Sequence, residues 1–166
     1  MKSFVTRLCF LALAFLGLAS FASAQTAPVI PVKPAAWNAE TTESASHIAA
    51  WVDPQTESRI EILSMRIVRA QHLATLTQAF QEQLLKNNFV QTKAPEERTF
   101  MLVNAKERIG TWTEYEAQAS EIPIAVATYA FVVRDTAIFV VGYFARPHSA
   151  TGIDTMQEVI RQMTDM

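Results

Sequence analysis

The chain has 166 residues, with 14 Lys and Arg against 16 Asp and Glu, and half of its residues are hydrophobic. This length suits one domain with a single core. The charge balance excludes the basic footprint of a nucleic-acid-binding protein, and no polybasic run is present to bind anionic lipid.

Residues 1–24 have the three-part pattern of a cleavable secretory signal. Two basic residues precede an apolar stretch from Leu8 to Ala19, and Ala22-Ser23-Ala24 is a small-residue cleavage site. We expect cleavage after Ala24, which gives a periplasmic or secreted protein with no membrane insertion. The alternative is an uncleaved anchor over Val5 to Ala24.

Cleavage would leave 142 residues with 12 basic and 16 acidic side chains, a formal charge of −4. The single cysteine, Cys9, lies within the signal, at the start of its apolar stretch, so it is not placed to carry a lipoprotein's lipid. The mature chain therefore has no cysteine, which excludes thiolate catalysis, disulfide exchange and Cys-based zinc sites.

Segment 25–36 carries Pro28, Pro31 and Pro34, a spacing that favours extended chain and predicts an irregular lead-in or tether. We expect one folded domain over 37–166, because the large indole of Trp37 favours burial.

A hairpin is predicted next, from His47 to Val52 and from Arg59 to Val68, around turn residues that begin with Asp53-Pro54. The second run also fits a helical face, but its β-branched residues favour a strand. A helix should begin around Leu73 to Thr75, where Thr75 and Gln78 form a capping box, and end at Asn87-Asn88.

Two further strands are predicted, Arg98 to Ala105 and Gly110 to Ala119. In the second, alternate residues share a face. One face carries Trp112, Glu114 and Glu116, and the other carries Thr111, Thr113, Tyr115 and Ala117.

The most apolar segment, Ile122 to Phe144, consists of two runs separated by Arg134-Asp135-Thr136. Both faces of these runs are apolar, which is typical of central strands covered on two sides. A last helix is predicted over Asp154 to Met163, with Asp154 and Gln157 as its cap. The predicted order is β-β-α-β-β-β-β-α, an α+β fold.

This order, with Ile30-Pro31 before Trp37, the Asp53-Pro54 turn and the long late hairpin, resembles the PsbP-like superfamily. That superfamily includes the extrinsic photosystem II subunit, a Ran-binding import factor and DcrB-like periplasmic proteins. The resemblance implies an antiparallel β-sheet with helices packed on its faces, an α/β/α sandwich, and members that mostly bind partners. It implies no shared active site.

The candidate site is a pocket lined by Trp112, Glu114, Glu116, Tyr115 or His148. Carboxylates at i and i+2 on a strand stand ~7 Å apart, which suits acid/base chemistry or a hard cation. The alternative is an exposed strand face whose charges keep it soluble. His148 follows the predicted sheet in a loop, where functional groups often collect.

The sequence shows no motif for metal binding, phosphate binding or serine hydrolysis. His47, His72 and His148 show no metal-ligand spacing, although a site assembled in space stays open. Glycine-rich phosphate loops and a Gly-x-Ser-x-Gly motif are absent, and we expect no cofactor. Two hypotheses follow: a bacterial envelope accessory protein that binds an unidentified partner without catalysis, or a small-ligand-binding protein or hydrolase-type enzyme using the candidate pocket.

Overall fold

The computed structural model describes residues 28–42, 46–67, 71–117 and 123–166. The signal-like segment 1–24 and residue Val68 lie outside these ranges, as do 118–119 and 122. The elements are β1 Val29–Ile30, β2 Asn38–Ala39, β3 His47–Val52, β4 Arg59–Arg66, α1 Gln71–Lys86, β5 Phe89–Met101, β6 Glu107–Ala117, β7 Ile124–Val133, β8 Thr136–Ala145, a 3-10 turn Arg146–His148, α2 Ser149–Gln162 and β9 Thr164–Asp165.

In the described residues, seven strands form one antiparallel sheet in the order β2-β3-β4-β8-β7-β6-β5. The apolar strands β7 and β8 lie inside the sheet, with a register that runs from Ile124 opposite Ala145 to Val133 opposite Thr136. The predicted α+β order and the central hairpin are confirmed.

A helix packs on each face of the sheet. Phe80 and Leu84 of α1 join Tyr115, Val126 and Phe139 in one apolar cluster. We call this side of the sheet the α1 face. A second cluster on the opposite side, the α2 face, contains Trp112, Tyr129 and Phe131 together with Met156, Val159 and Ile160 of α2. Because alternate residues of β6 belong to opposite clusters, the predicted face assignment of this strand is confirmed, and β7 alternates in the same way.

Two turns also follow the sequence. The Asp53 carboxylate accepts hydrogen bonds from the Gln55 backbone N–H at 3.0 Å and the Thr56 hydroxyl at 2.6 Å. Asn88, which follows α1, has a φ of 62°, the left-handed conformation that asparagine tolerates well. Both observations show that local turn chemistry decides where β3 and α1 end.

The predicted start of β5 at Arg98 is wrong, since the strand begins nine residues earlier at Phe89. The missed part contains Lys93, Pro95 and Glu97, which give no alternation of apolar residues. It is nevertheless a strand because β5 is at the edge of the sheet, where proline is tolerated and charged side chains reach water.

The predicted caps of both helices are wrong. Thr75 lies inside α1, which is already helical at Gln71, and Asp154 lies inside α2, which begins at Ser149. The first residues of α2 include Gly152. Glycine disfavours a helix, so the sequence pattern at the start of α2 was weakly helical. The Cβ that an alanine would place there lies 2.1 Å from the Phe144 ring, so the glycine lets α2 approach the sheet closely.

The short strands β1 and β9 pair with each other, with Val29 opposite Asp165. Val29 is buried, and it falls inside the segment predicted as a lead-in. Arg108 on β6 ties β9 to the sheet, because its guanidinium donates to the carbonyl of Met163 at 3.2 Å and to the Asp165 carboxylate. Residues near both ends of the described chain are thus held against the domain.

Candidate functional site

Trp112 and Glu114 contact each other directly on the α2 face. The indole Nε1 of Trp112 donates a hydrogen bond of 2.7 Å to Oε1 of Glu114. Trp112 itself is fully buried against Phe100 and Tyr129, while Glu114 is partly exposed. The bond satisfies a buried donor and fixes the direction of one carboxylate oxygen.

Three charged residues of β5 surround this pair. Nζ of Lys93 lies 4.0 Å from Glu114 and 3.1 Å from Glu96, and the Arg98 guanidinium stacks 4.5 Å above the Trp112 ring. Hydrogen bonds from Lys93 and Arg98 lower the pKa of Glu96. The site is therefore a charged network at a sheet edge, with cations on both sides of the carboxylates.

Glu116 lies near a different cation. Its Oε1 is 3.9 Å from Nε of Arg146, which belongs to the same 3-10 turn as His148. Both Arg146 and His148 are exposed, so this ion pair is at the surface. The structure thus brings Glu114 together with Trp112, and Glu116 together with the turn that carries His148.

Tyr115 lies on the other side of the sheet. Its ring is buried in the cluster under α1, and this burial raises the pKa of its hydroxyl. The sheet separates it from Trp112 and the two glutamates, and ligand binding by these residues stays a prediction.

A buried ion cluster that the sequence pattern did not predict lies at the β2–β4 side of the sheet. Glu61 is 1% exposed, and its two oxygens lie 2.7 Å from Nε of Arg59 and 3.7 Å from Nε2 of His47. Arg59 also contacts Glu40 at 3.1 Å. Burial, together with the charge of Glu61, raises the pKa of Tyr143 well above its usual value. The available signal was Arg59 and Glu61 at i and i+2 in an apolar strand, two opposite charges on one face.

An open groove of about 720 Å³ runs along α1. Its lining mixes apolar and polar side chains and includes none of the five predicted site residues. The groove is lined by Leu73, Ala74, Thr77, Gln78, Gln81, Glu82, Leu85 and Thr111. Its volume is in the range of ligand pockets, but its openness to solvent suits a surface contact better than an enclosed ligand.

Within the described ranges, no group of three or more His, Cys, Asp or Glu is arranged to hold a metal ion. The side chain of His72 lies outside the described part of the chain. Of the helices in the described residues, none is long and apolar enough to cross a membrane.

Comparisons with known proteins show the fold. No protein-family model matches the sequence, and no curated protein matches it. Among solved structures, the chain is similar to LpqN, a protein involved in cell envelope biogenesis of Mycobacterium tuberculosis, at a TM-score of 0.61 and 16% identity over 82% of each chain. It is also similar to CyanoP, the cyanobacterial PsbP of Synechocystis, at a TM-score of 0.53 and 10% identity over 90% of this chain and 99% of that one.

A third similar structure is the Ran-binding protein Mog1p of Saccharomyces cerevisiae, with a TM-score of 0.52 and 8% identity over 83% of this chain and 90% of that one. The fold is PsbP-like. The resemblance inferred from the sequence is confirmed. At these identities the comparison concerns the arrangement of strands and helices, and no site residue is transferred from it.

Proposed function

We propose that this PsbP-like chain is an exported accessory protein of the bacterial cell envelope that binds a partner protein and performs no chemistry. Its first 24 residues supply the export signal, and the domain of residues 37–166 supplies the binding surface. The similarity in fold to LpqN, whose involvement in envelope biogenesis is known, supports this compartment. The Ran-binding Mog1p supports protein binding as a use of the same fold.

The observation that carries the proposal is the set of contacts made by the Glu114 carboxylate, a candidate for acid/base chemistry. Its Oε1 accepts the Trp112 indole N–H at 2.7 Å, and Lys93 lies 4.0 Å from the same atom. These contacts give the carboxylate a structural role, which is to hold Trp112 and the edge strand in place.

Capture of the tagged chain from native envelope extract tests the proposal, with chemical crosslinking and mass spectrometry to identify what is retained. We expect one envelope protein, retained reproducibly and near stoichiometrically. Glu114→Gln and His148→Ala should retain it equally well, because neither residue is needed for chemistry. An empty capture, combined with a small ligand whose binding is lost in Glu114→Gln, would favour the ligand-binding alternative instead.

A further inference from the structure

The α1 face of the sheet is only partly covered by its helix. Seven strands spaced ~4.8 Å apart make a sheet about 30 Å wide, whereas one helix is about 10 Å across. Helix α1 contacts β5 and β7, and its Phe80 ring reaches Phe139 on β8. The room for another helix lies at the ends of β5, β6 and β7, where residues of this face are exposed.

Four residues form an open shelf on this face, at the ends of β5, β6 and β7 away from Phe89. We define the shelf as Met101, Ile109, Thr111 and Val132. Thr111 is opposite Ala130, whose side chain packs under α1, so Ile109 and Val132 lie on the same face by the strand period of two. Met101 is the diagonal neighbour of Ile109 across the β5–β6 pair.

The shelf is apolar and exposed. Met101 and Ile109 are each 55% exposed and Val132 is 38% exposed, on three adjacent strands. Thr111 belongs both to the shelf and to the groove along α1, so the two surfaces are continuous. Contiguous apolar surface of this kind, bordered by polar residues, marks interaction sites.

Three acidic side chains border this surface. Glu97 is opposite Thr111 and Glu107 is opposite Met101, which places both carboxylates on the α1 face, and Glu82 lines the groove from the helix side. The cations of the same hairpin lie on the other face, where Arg98 stacks on Trp112 and Arg108 stacks on Phe131. A complementary partner thus has apolar side chains in the middle and cations at the margins.

We propose that the shelf and groove bind an amphipathic helix of the partner protein, one with an apolar stripe at i, i+3, i+4 and i+7 and with Lys or Arg on its flanks. The helix lies beside α1 on the sheet, with its apolar stripe on Met101, Ile109 and Val132. Its cations face Glu82, Glu97 and Glu107. This proposal rests on the proposed partner-binding function and specifies the partner's chemistry.

A pair of matched substitutions in the full chain tests it. Ile109→Asp places a charge on the shelf, whereas Ile30→Asp changes an isoleucine that is similarly exposed, at 52%, on strand β1, which packs on the opposite face of the sheet. We expect Ile109→Asp to reduce partner capture at least tenfold and Ile30→Asp to leave it unchanged. Glu97→Lys should weaken capture further as the salt concentration is lowered, because it repels the flanking cations.

A photo-crosslinking residue at position 109 identifies the bound segment. We expect it to label a basic amphipathic helix of another protein, with position 30 as the control. Labelling of a second copy of this chain, a lipid, or an acidic or extended segment would overturn the proposal. If the Ile109→Asp variant still captured the partner, this binding surface alone would be overturned. The absence of any captured partner would contradict the proposed function itself.

Discussion

At the scale of single residues, Glu61 shows what strand alternation in the sequence predicts and what it does not. The β4 pattern places Arg59 and Glu61 on one face, and the structure pairs them at 2.7 Å. The same alternation predicted that Trp112 and Glu114 share a face, and there the indole donates to the carboxylate. Alternation does not reveal depth, because burial depends on what packs over the strand. Glu61 was therefore missed, while the partly exposed Glu116 was chosen as a candidate.

The two glutamates give a matched comparison. Glu61→Ala should lower the free energy of unfolding by about 3–5 kcal/mol, because it leaves the charge of Arg59 buried beside one fewer carboxylate. Glu116→Ala should cost at most about 1 kcal/mol, since its contact with Arg146 is 3.9 Å long and at the surface. Urea unfolding monitored by tryptophan fluorescence measures both. Equal losses would show that the Glu61 cluster is not the stabilising contact described here.

The tyrosines predict how stability depends on pH. Burial raises the pKa of Tyr115, Tyr129 and Tyr143, the three tyrosines of the chain. The unfolded chain releases these protons near pH ~10, whereas the folded chain retains them. Their contribution is therefore intact below pH ~10, and above it the free energy of unfolding falls by about 1.4 kcal/mol per pH unit for each tyrosine.

Urea unfolding across this pH range, together with the ultraviolet absorbance of tyrosinate, checks the tyrosine prediction. Tyrosinate should appear with unfolding and not before it, and Tyr115→Phe should reduce the slope by about one proton. Tyrosinate formed near pH ~10 in a chain that remains folded would contradict the burial of these rings.

At the scale of elements, the packing of α2 on β8 depends on two glycines around one ring. The Cβ of an alanine at Gly142 would lie 2.2 Å from the Phe144 ring, and at Gly152 it would lie 2.1 Å away. Phe144 is completely buried between them. The sequence shows Gly142 and Phe144 on one strand face, but only the tertiary structure shows that Gly152 meets them. For this reason the start of α2 was predicted too late.

Gly152→Ala should lower the free energy of unfolding by about 1–3 kcal/mol, although alanine is intrinsically the better helix former by about 1 kcal/mol. The clash with Phe144 has to outweigh that gain. Thr151→Ala, at the exposed neighbouring position, serves as the control and should change stability little. Chemical denaturation measures the stability of both variants. Repeating Gly152→Ala in a Phe144→Leu background measures the energetic coupling between positions 152 and 144. A net stabilisation by Gly152→Ala would contradict the close approach of α2.

At the scale of the whole molecule, strongly patterned segments were predictable and edges were not. The β7–β8 hairpin is apolar on both faces, so its central place followed from sequence. The first half of β5 has no such pattern, because an edge strand meets water along one side. The proposed binding surface was also not predictable from the sequence, because Ile109 and Val132 become neighbours only when β6 and β7 pair.

The proposed function depends on export, so the most direct measurement is the N-terminus and location of the protein in cells. A chain tagged at its C-terminus would be purified from separated cytoplasmic and envelope fractions and analysed by intact mass and N-terminal sequencing. We expect it in the envelope fraction or the medium, beginning at Gln25 after removal of residues 1–24. A chain that retains Met1 and remains in the cytoplasm would contradict the proposed function, whatever partner it binds.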